Sequence, residues 1–369
     1  MSKRKRENMK KSIRALGITT GIIAALALGG CGTADTDPLA TVYGTEVTVG
    51  EAGLYAIYQQ AQYEQFYSSY LGTTVDWTQE YDGKTMEDET KDSIMEQFKK
   101  MQVVAAHADD YNISVSEEEE AKIKEAAKKL VGANDAKALK ALHISEESAT
   151  ALFKSYYLYN KTSEAMVADV DTNVSDEEAA QKKMSYVEFS LAGTTDEDGN
   201  TVELTEEEKA TIKTTAESVV SAGATGMETA VENTDYTVTE ATFDEESDTL
   251  DAAVYEAANK LKAGEMSSVI ETETAYYVVR LDSEFDKEAT ESKKEEIVNE
   301  RKTEAFDKLY EAWEAEEGAF VLDESAWASI RFKDKITLKT ADEEATEDVT
   351  ADVPEEESTE DEAVETTEE

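Results

Sequence analysis

The sequence predicts an α+β protein, and three features carry that prediction. Between residues 51 and 167, apolar and aromatic side chains recur at helical spacing over several long stretches. Between residues 184 and 282, short alternating strand patterns take turns with helical ones. Only two prolines, Pro38 and Pro354, occur in 369 residues, so the interior is free of the residue that most often breaks a long helix.

The chain opens on a leader. Lys3, Arg4, Lys5, Arg6, Lys10, Lys11 and Arg14 stand against one acid, Glu7, and an apolar run from Ile18 to Leu28 follows. That run is about a dozen residues, right for the core of a signal peptide and short of the roughly 20 that a spanning helix needs. It ends in Leu28-Gly29-Gly30-Cys31, which resembles a bacterial lipobox. The resemblance implies that residues 1–31 are a lipoprotein signal peptide and that the Cys31 thiol takes a diacylglycerol. The other reading makes Cys31 an ordinary small apolar residue. As the single cysteine it excludes an intramolecular disulfide, and two or three acyl chains give the multi-chain hold that one cannot. The expected place of the rest of the chain is the extracytoplasmic face of the cell membrane.

After a tether, residues 32–39, the stretch ATVYGTEVTV (Ala40 to Val49) alternates around Gly44-Thr45 as a small hairpin does. A long helix begins near Glu51. Leu54, Tyr58, Ala61 and Phe66, with Tyr55, Tyr63, Tyr67 and Tyr70 beside them, give it a broad aromatic face that is either core or an exposed peptide-binding surface. Ile94, Phe98, Met101 and Val104 mark a second helix over Asp88 to Ala108. Ser116 with Glu119 is a capping box opening a third, and Leu152, Phe153, Tyr156 and Tyr159 lie on another over Glu146 to Val167. Ser175 with Glu178 predicts a short connecting helix.

From there the expected order is β-α-α-β-α-β-β. Met184 to Leu191 is a strand, Asp196 to Asn200 a turn, and Thr205 with Glu208 caps a helix to about Ser221. A short helix at Met227 to Glu232 precedes the strand Tyr236 to Phe243. Leu250 to Leu261 is helical with Gly264 as its C-cap, and Ser268 to Asp282 is one bent strand or two. Ile297, Arg301, Ala305, Leu309 and Trp313 line a helix over Glu291 to Glu316, and Phe320 to Thr340 is partly extended.

Charge narrows the function classes. The net charge of −48 becomes about −54 once the leader's seven bases and one acid are set aside. Such a surface repels phosphate, and nucleic-acid binding needs the opposite. No cluster of histidines or cysteines suggests a metal, and nothing suggests a cofactor. From Ala341 to Glu369 there is no Lys, Arg or aromatic residue, the composition of a disordered acidic tail. Whether the tail only solvates or also binds basic clients stays open, as does pairing of the chain into a homodimer.

Two pieces of sequence resemble a known family. Leu261-Lys-Ala-Gly264-Glu265-Met-Ser267 and then Ala275-Tyr276-Tyr277-Val278-Val279-Arg280-Leu281 are similar to the C-terminal signature of parvulin-type peptidyl-prolyl isomerases. Val42-Tyr-Gly44-Thr-Glu-Val47-Thr-Val49-Gly-Glu51 is similar to the start of the helical domain of the PrsA and SurA extracytoplasmic foldases. The resemblance covers most of residues 40 to 335. It implies a helical domain, 40–170, completed by a C-terminal helix and extended segment, 286–340, with a parvulin-like domain, 175–285, inserted between them. It implies a foldase or chaperone acting on unfolded or partly folded exported polypeptides.

The resemblance also implies where a site would be. Tyr186 and Tyr277 stand where parvulins place two catalytic histidines, and Asp251, Val254 and Asn259 stand where relatives carry the apolar residues of the proline pocket. The glycine-rich loop is missing, with Asp244-Glu-Glu-Ser-Asp248 near its place, and the two histidines present, His107 and His143, fall in the helical region. Isomerisation needs no nucleophile, only preference for a twisted amide over a barrier of about 18–20 kcal/mol. A hydroxyl pair could serve, and tyrosines on strands also serve simply as packing residues. Three readings follow: a foldase whose parvulin-like domain is weak or inactive, an isomerase with an altered site, and a solute-binding lipoprotein.

Overall fold

A computed structural model of the chain describes residues 34–195 and 201–332. The leader with Cys31, the Asp196 to Asn200 turn and the acidic stretch from Ala341 lie outside the described residues. Strands β1, Pro38–Val42, and β2, Thr45–Thr48, pair antiparallel with Val42 opposite Thr45. The hairpin turns on Tyr43 and Gly44, one residue earlier than the sequence suggests, with φ of 48° and 82°. Two successive positive values make a type I′ turn, whose twist matches the strands.

Thr48 and Glu51 form a capping box that opens helix α1, Val49–Tyr70. Most of its residues up to Gln60 are buried, Tyr58 at 53 % exposed being the exception, and none beyond it is. A second hairpin, β3, Glu80–Tyr81, and β4, Lys84–Thr85, follows. Periodicity does not predict it, but its Asp82-Gly83 turn is the dipeptide that such a turn prefers. Thr85 caps helix α2, Met86–Ala106. A 3-10 turn at Ala108–Tyr111 leads to α3, Glu117–Ala133, with the predicted Ser116 and Glu119 box. The short α4, Ala136–Ala141, precedes α5, Glu146–Met166.

The mixed unit comprises β5, Lys182–Ser190, a β6 (Thr194–Thr195) and β7 (Thr201–Val202) hairpin, α6, Glu206–Ala222, and α7, Met227–Val231. It continues with β8, Val238–Phe243, α8, Ala252–Asn259, β9, Ile270–Glu271, and β10, Ala275–Ser283. Apart from the small hairpin this is the predicted order. The antiparallel sheet runs β8-β5-β10-β9. Alternation along the strands sends Val187, Phe189 and Val278 against α6 and α7, and Met184, Tyr277, Val279 and Leu281 against α8.

The chain then returns to the helical body. Helix α9, Lys287–Glu314, is followed by β11, Val321–Leu322, and α10, Glu324–Ser329. Tyr310, Trp327, Ile330 and Phe332 share one core with Leu39, Leu54, Phe98 and Leu152, and β11 pairs with β1 through Ala40 opposite Leu322. The fold is therefore α+β, a helical domain completed by the C-terminal helix with the sheet unit inserted. Two bonds hold the neck of the insertion: Asp286 N–H to Gln181 O at 2.7 Å, and Gln181 N–H to Thr290 Oγ1 at 3.1 Å.

Two local expectations are corrected, and two are sharpened. Ser175 accepts from the Glu178 N–H, but no helix follows, and the Glu178 carboxylate is held by Arg301 of α9 instead of closing a capping box. The helix expected to end at Leu261 stops at Asn259, and Gly264 instead makes a turn at φ 82°, donating its N–H to Leu281 O. Ser268 to Asp282 resolves into two strands. The segment from Phe320 contains the helix α10, capped by Asp323.

Candidate functional site

Strands β5 and β10 are the central pair of the sheet, and their register sets the site. Tyr277 lies opposite Glu188 and Val279 opposite Tyr186. A two-residue period places Tyr186 and Glu188 on the same face of β5, toward Tyr277. The two tyrosine rings are 6.3 Å apart at 51°. The sequence positions implied by resemblance are thus brought together, with Glu188 as an unforeseen third member. Its signal was available: Glu188 sits two residues from Tyr186 in a strand.

The electrostatics of the pair follow from burial. Tyr277 is buried, and its hydroxyl is pushed up to about 12, by desolvation first and then by the charge of the Glu188 carboxylate. Tyr186, half-buried, is raised by the same two causes. Both phenols stay neutral at physiological pH and can donate or accept a hydrogen bond, but neither takes up a proton as a base.

The three expected pocket positions part company. Asp251 caps α8, accepting from the Ala253 N–H at 2.9 Å, and its charge acts on Tyr277. Val254 is wholly buried in the core cluster that contains Tyr277. Asn259, at the other end of α8, accepts from Lys182 Nζ at 2.7 Å. In place of a glycine-rich loop, Asp244 is tied down by Gln181 Nε2 at 2.6 Å and Ser247 Oγ at 2.9 Å. His107 stacks on Trp313 at 4.0 Å and bonds Tyr43 and Asp110, joining α9 to the body, far in sequence from the tyrosine pair.

A second feature lies on α1. Tyr63, Phe66, Tyr67 and Tyr70 follow the i, i+3, i+4, i+7 spacing of a helix face, yet Phe66 is 50 % and Tyr70 80 % exposed. Phe66 stacks on Tyr70 at 5.3 Å, so the rings are organised against each other. At its inner end Tyr63 meets Trp77 edge-on at 6.5 Å, and Trp77 meets Phe332 at 5.0 Å. Leu71 and Tyr81 are also exposed. Of the two sequence readings of this face, core holds for Leu54 and exposure for the outer turns.

Among the described residues no three His, Cys, Asp or Glu side chains are arranged to hold a metal ion. No helix among them is long and apolar enough to cross a membrane. No family model matches the chain, and no curated protein matches it. Among solved structures it is similar to the foldase protein PrsA of Streptococcus pneumoniae, at 17 % identity and a TM-score of 0.26, over 68 % of this chain and 97 % of that one. It is similar to the peptidylprolyl isomerase PrsA of Bacillus cereus, at 13 % and 0.27, over 81 % and 100 %. It is also similar to a SurA-like chaperone structure from Campylobacter jejuni, at 13 % and 0.24, over 76 % and 97 %.

Proposed function

We propose that the chain is a membrane-anchored, extracytoplasmic foldase of the chaperone type, which binds exported polypeptides before they fold. The observation that carries this reading is the aromatic stripe on the outer half of α1, where Phe66 and Tyr70 are exposed beside the half-buried Tyr63 and Tyr67. Contiguous exposed apolar surface of this kind marks an interaction site, and flat aromatic rings suit many apolar segments without demanding one sequence. Binding the unfolded client lowers its free concentration and with it aggregation. The diacylglycerol on Cys31 would hold this surface at the membrane face, and the acidic residues 341–369 would keep the loaded protein soluble.

The parvulin-like unit is then a binding module, weak or inactive as an isomerase. A prolyl ring laid on the Tyr186 and Tyr277 face would have to desolvate the Glu188 carboxylate, which is costly. Val254, at one of the pocket positions that the resemblance implies, is buried in the core and adds no exposed apolar surface to offset that. The tyrosine pair at 6.3 Å favours one second reading, an isomerase that stabilises the twisted amide through phenol hydrogen bonds.

Refolding of a protein limited by proline isomerisation separates the two, using the chain from Gly32 onward, which holds every described residue. The chaperone reading expects less client aggregation and no faster refolding. Acceleration that disappears in Tyr186→Phe and Tyr277→Phe would establish the isomerase instead.

A further inference from the structure

Strand β8 is an edge of the sheet. β5 pairs with its whole length, from Val187 opposite Val238 to Lys182 opposite Phe243, and among the described residues no strand lies on its outer side. The opposite edge, β9, is only two residues long. Every second residue of an antiparallel edge turns its N–H and C=O away from the sheet. Among the described residues, no backbone or side-chain group meets those of β8. Natural edges are commonly blunted by proline, lysine or a bulge. β8 has none of these: its sequence is VTEATF, its register with β5 is unbroken, and its one charge, Glu240, is matched by Lys183 at 2.8 Å.

The surroundings of this edge say what suits it. Tyr236 and Val238 are half-buried against the core under α6 and α7, whereas Thr239, on the other face, is exposed. An added strand with alternating apolar side chains would set them beside Tyr236 and Val238 and leave its polar ones in water. Where β8 ends, a cleft of about 380 Å³ lies between it and the start of α9, lined by Lys183, Glu240 and Thr242 and by Asp286, Glu288 and Ser292. Three acids there face one lysine, which Glu240 already engages, so the cleft favours a basic side chain. A second copy of β8 is a poor partner, because antiparallel pairing would bring the two Glu240 carboxylates near each other at its centre.

We propose that β8 takes up an extended segment of an unfolded polypeptide as a fifth strand of the sheet, with a basic side chain of that segment in the cleft beside α9. The proposal rests on the reading of the sheet unit as a binding module and states how it binds. Main-chain hydrogen bonds supply affinity that most sequences share, and the alternating side chains supply preference. Neither a proline nor the Tyr186 and Tyr277 pair takes part.

The test uses the chain from Gly32 onward and a synthetic peptide of alternating valine and serine ending in two lysines. Amide exchange followed by NMR should show every second amide of Val238–Phe243 protected when the peptide binds. Of two versions of the peptide, each N-methylated on a different set of alternate amides, one should bind roughly tenfold more weakly and the other as the parent does. Glu288→Lys should weaken the lysine peptide severalfold and leave a version ending in serine unchanged; no effect on the lysine peptide overturns the role of the cleft. Binding without protection of β8, equal binding by both methylated versions, or no binding at all overturns the added strand. A reduced and carboxymethylated protein that still bound, and was released by Phe66→Ser and Tyr70→Ser, would then leave the foldase reading standing on α1 alone. Protection of β8 in a chain whose α1 binds no client keeps the added strand and removes the stripe from that reading.

Discussion

The inner and outer halves of helix α1 carry the same kind of residue at the same spacing and end in opposite places. From Val49 to Gln60 the helix packs against α2, α5 and the returning C-terminal residues, with Leu54 and Ile57 almost fully buried and Tyr58 the one exposed residue. From Tyr63 to Tyr70 it outruns those neighbours, and Phe66 and Tyr70 face solvent. Helical periodicity reports that a face is apolar, not that a partner exists to cover it. The difference lies in contacts from distant parts of the chain, and so does the functional reading.

The largest effect that tests this contrast is expected at Leu54. Leu54→Ala removes a side chain that is 2 % exposed and should cost about 2–5 kcal/mol, the transfer loss plus the cavity. Denaturant unfolding followed by tryptophan fluorescence reads it selectively, because Trp77, Trp313 and Trp327, the three tryptophans of the sequence, all belong to the helical body. Next comes Gly50→Ala on the same half. A β-carbon there would stand 2.6 Å from His143 O and 2.7 Å from Ser148 Cβ, where α1 crosses the start of α5. The expected loss is about 1–3 kcal/mol, the usual penalty of overpacking. A neutral result would mean that the enclosure of the inner half is loose.

How much of this was legible follows from where each signal resides. The capping boxes at Ser116 and Thr205 are complete within four residues, and both open the helices they predict. The one at Ser175 fails because its acid is taken by Arg301, 123 positions away, and no local pattern contains that. The succession of strands and helices along the sheet unit was readable from the pattern of apolar residues, and the placing of Tyr186 and Tyr277 at one site from resemblance. The sealing of Val254 into the core, like the addition of Phe332 and Trp327 to a core begun at Leu39, depends on long-range packing.

The sheet unit repeats the contrast between enclosed and displayed aromatics on a smaller scale. Tyr277 is enclosed, and its hydroxyl at about 12 is raised from 10.0 by burial first and by Glu188 second. A group whose pKa is raised by folding supports the fold fully below its unfolded value. That support is lost as the pH rises from about 10 through about 12. Glu188→Gln removes the charge and leaves the burial, so tyrosinate absorbance should appear at lower pH for this residue without reaching the unfolded value. No movement would place Glu188 too far from Tyr277 to matter and would weaken the case against a prolyl ring binding there.

The smallest expected effect is the one on which the comparison depends most. Phe66→Ser and Tyr70→Ser on the outer half should each change stability by no more than about 0.5 kcal/mol, because exposed side chains away from caps and cores have little to lose. The same pair should markedly weaken binding of an unfolded client, measured by anisotropy of the labelled client. Two large aromatic groups retained at little benefit to the fold are intelligible only if their benefit lies in what they touch. A loss on the scale of Leu54→Ala would break the contrast between the halves and show that the stripe is a core surface whose partner is a permanent part of the folded protein.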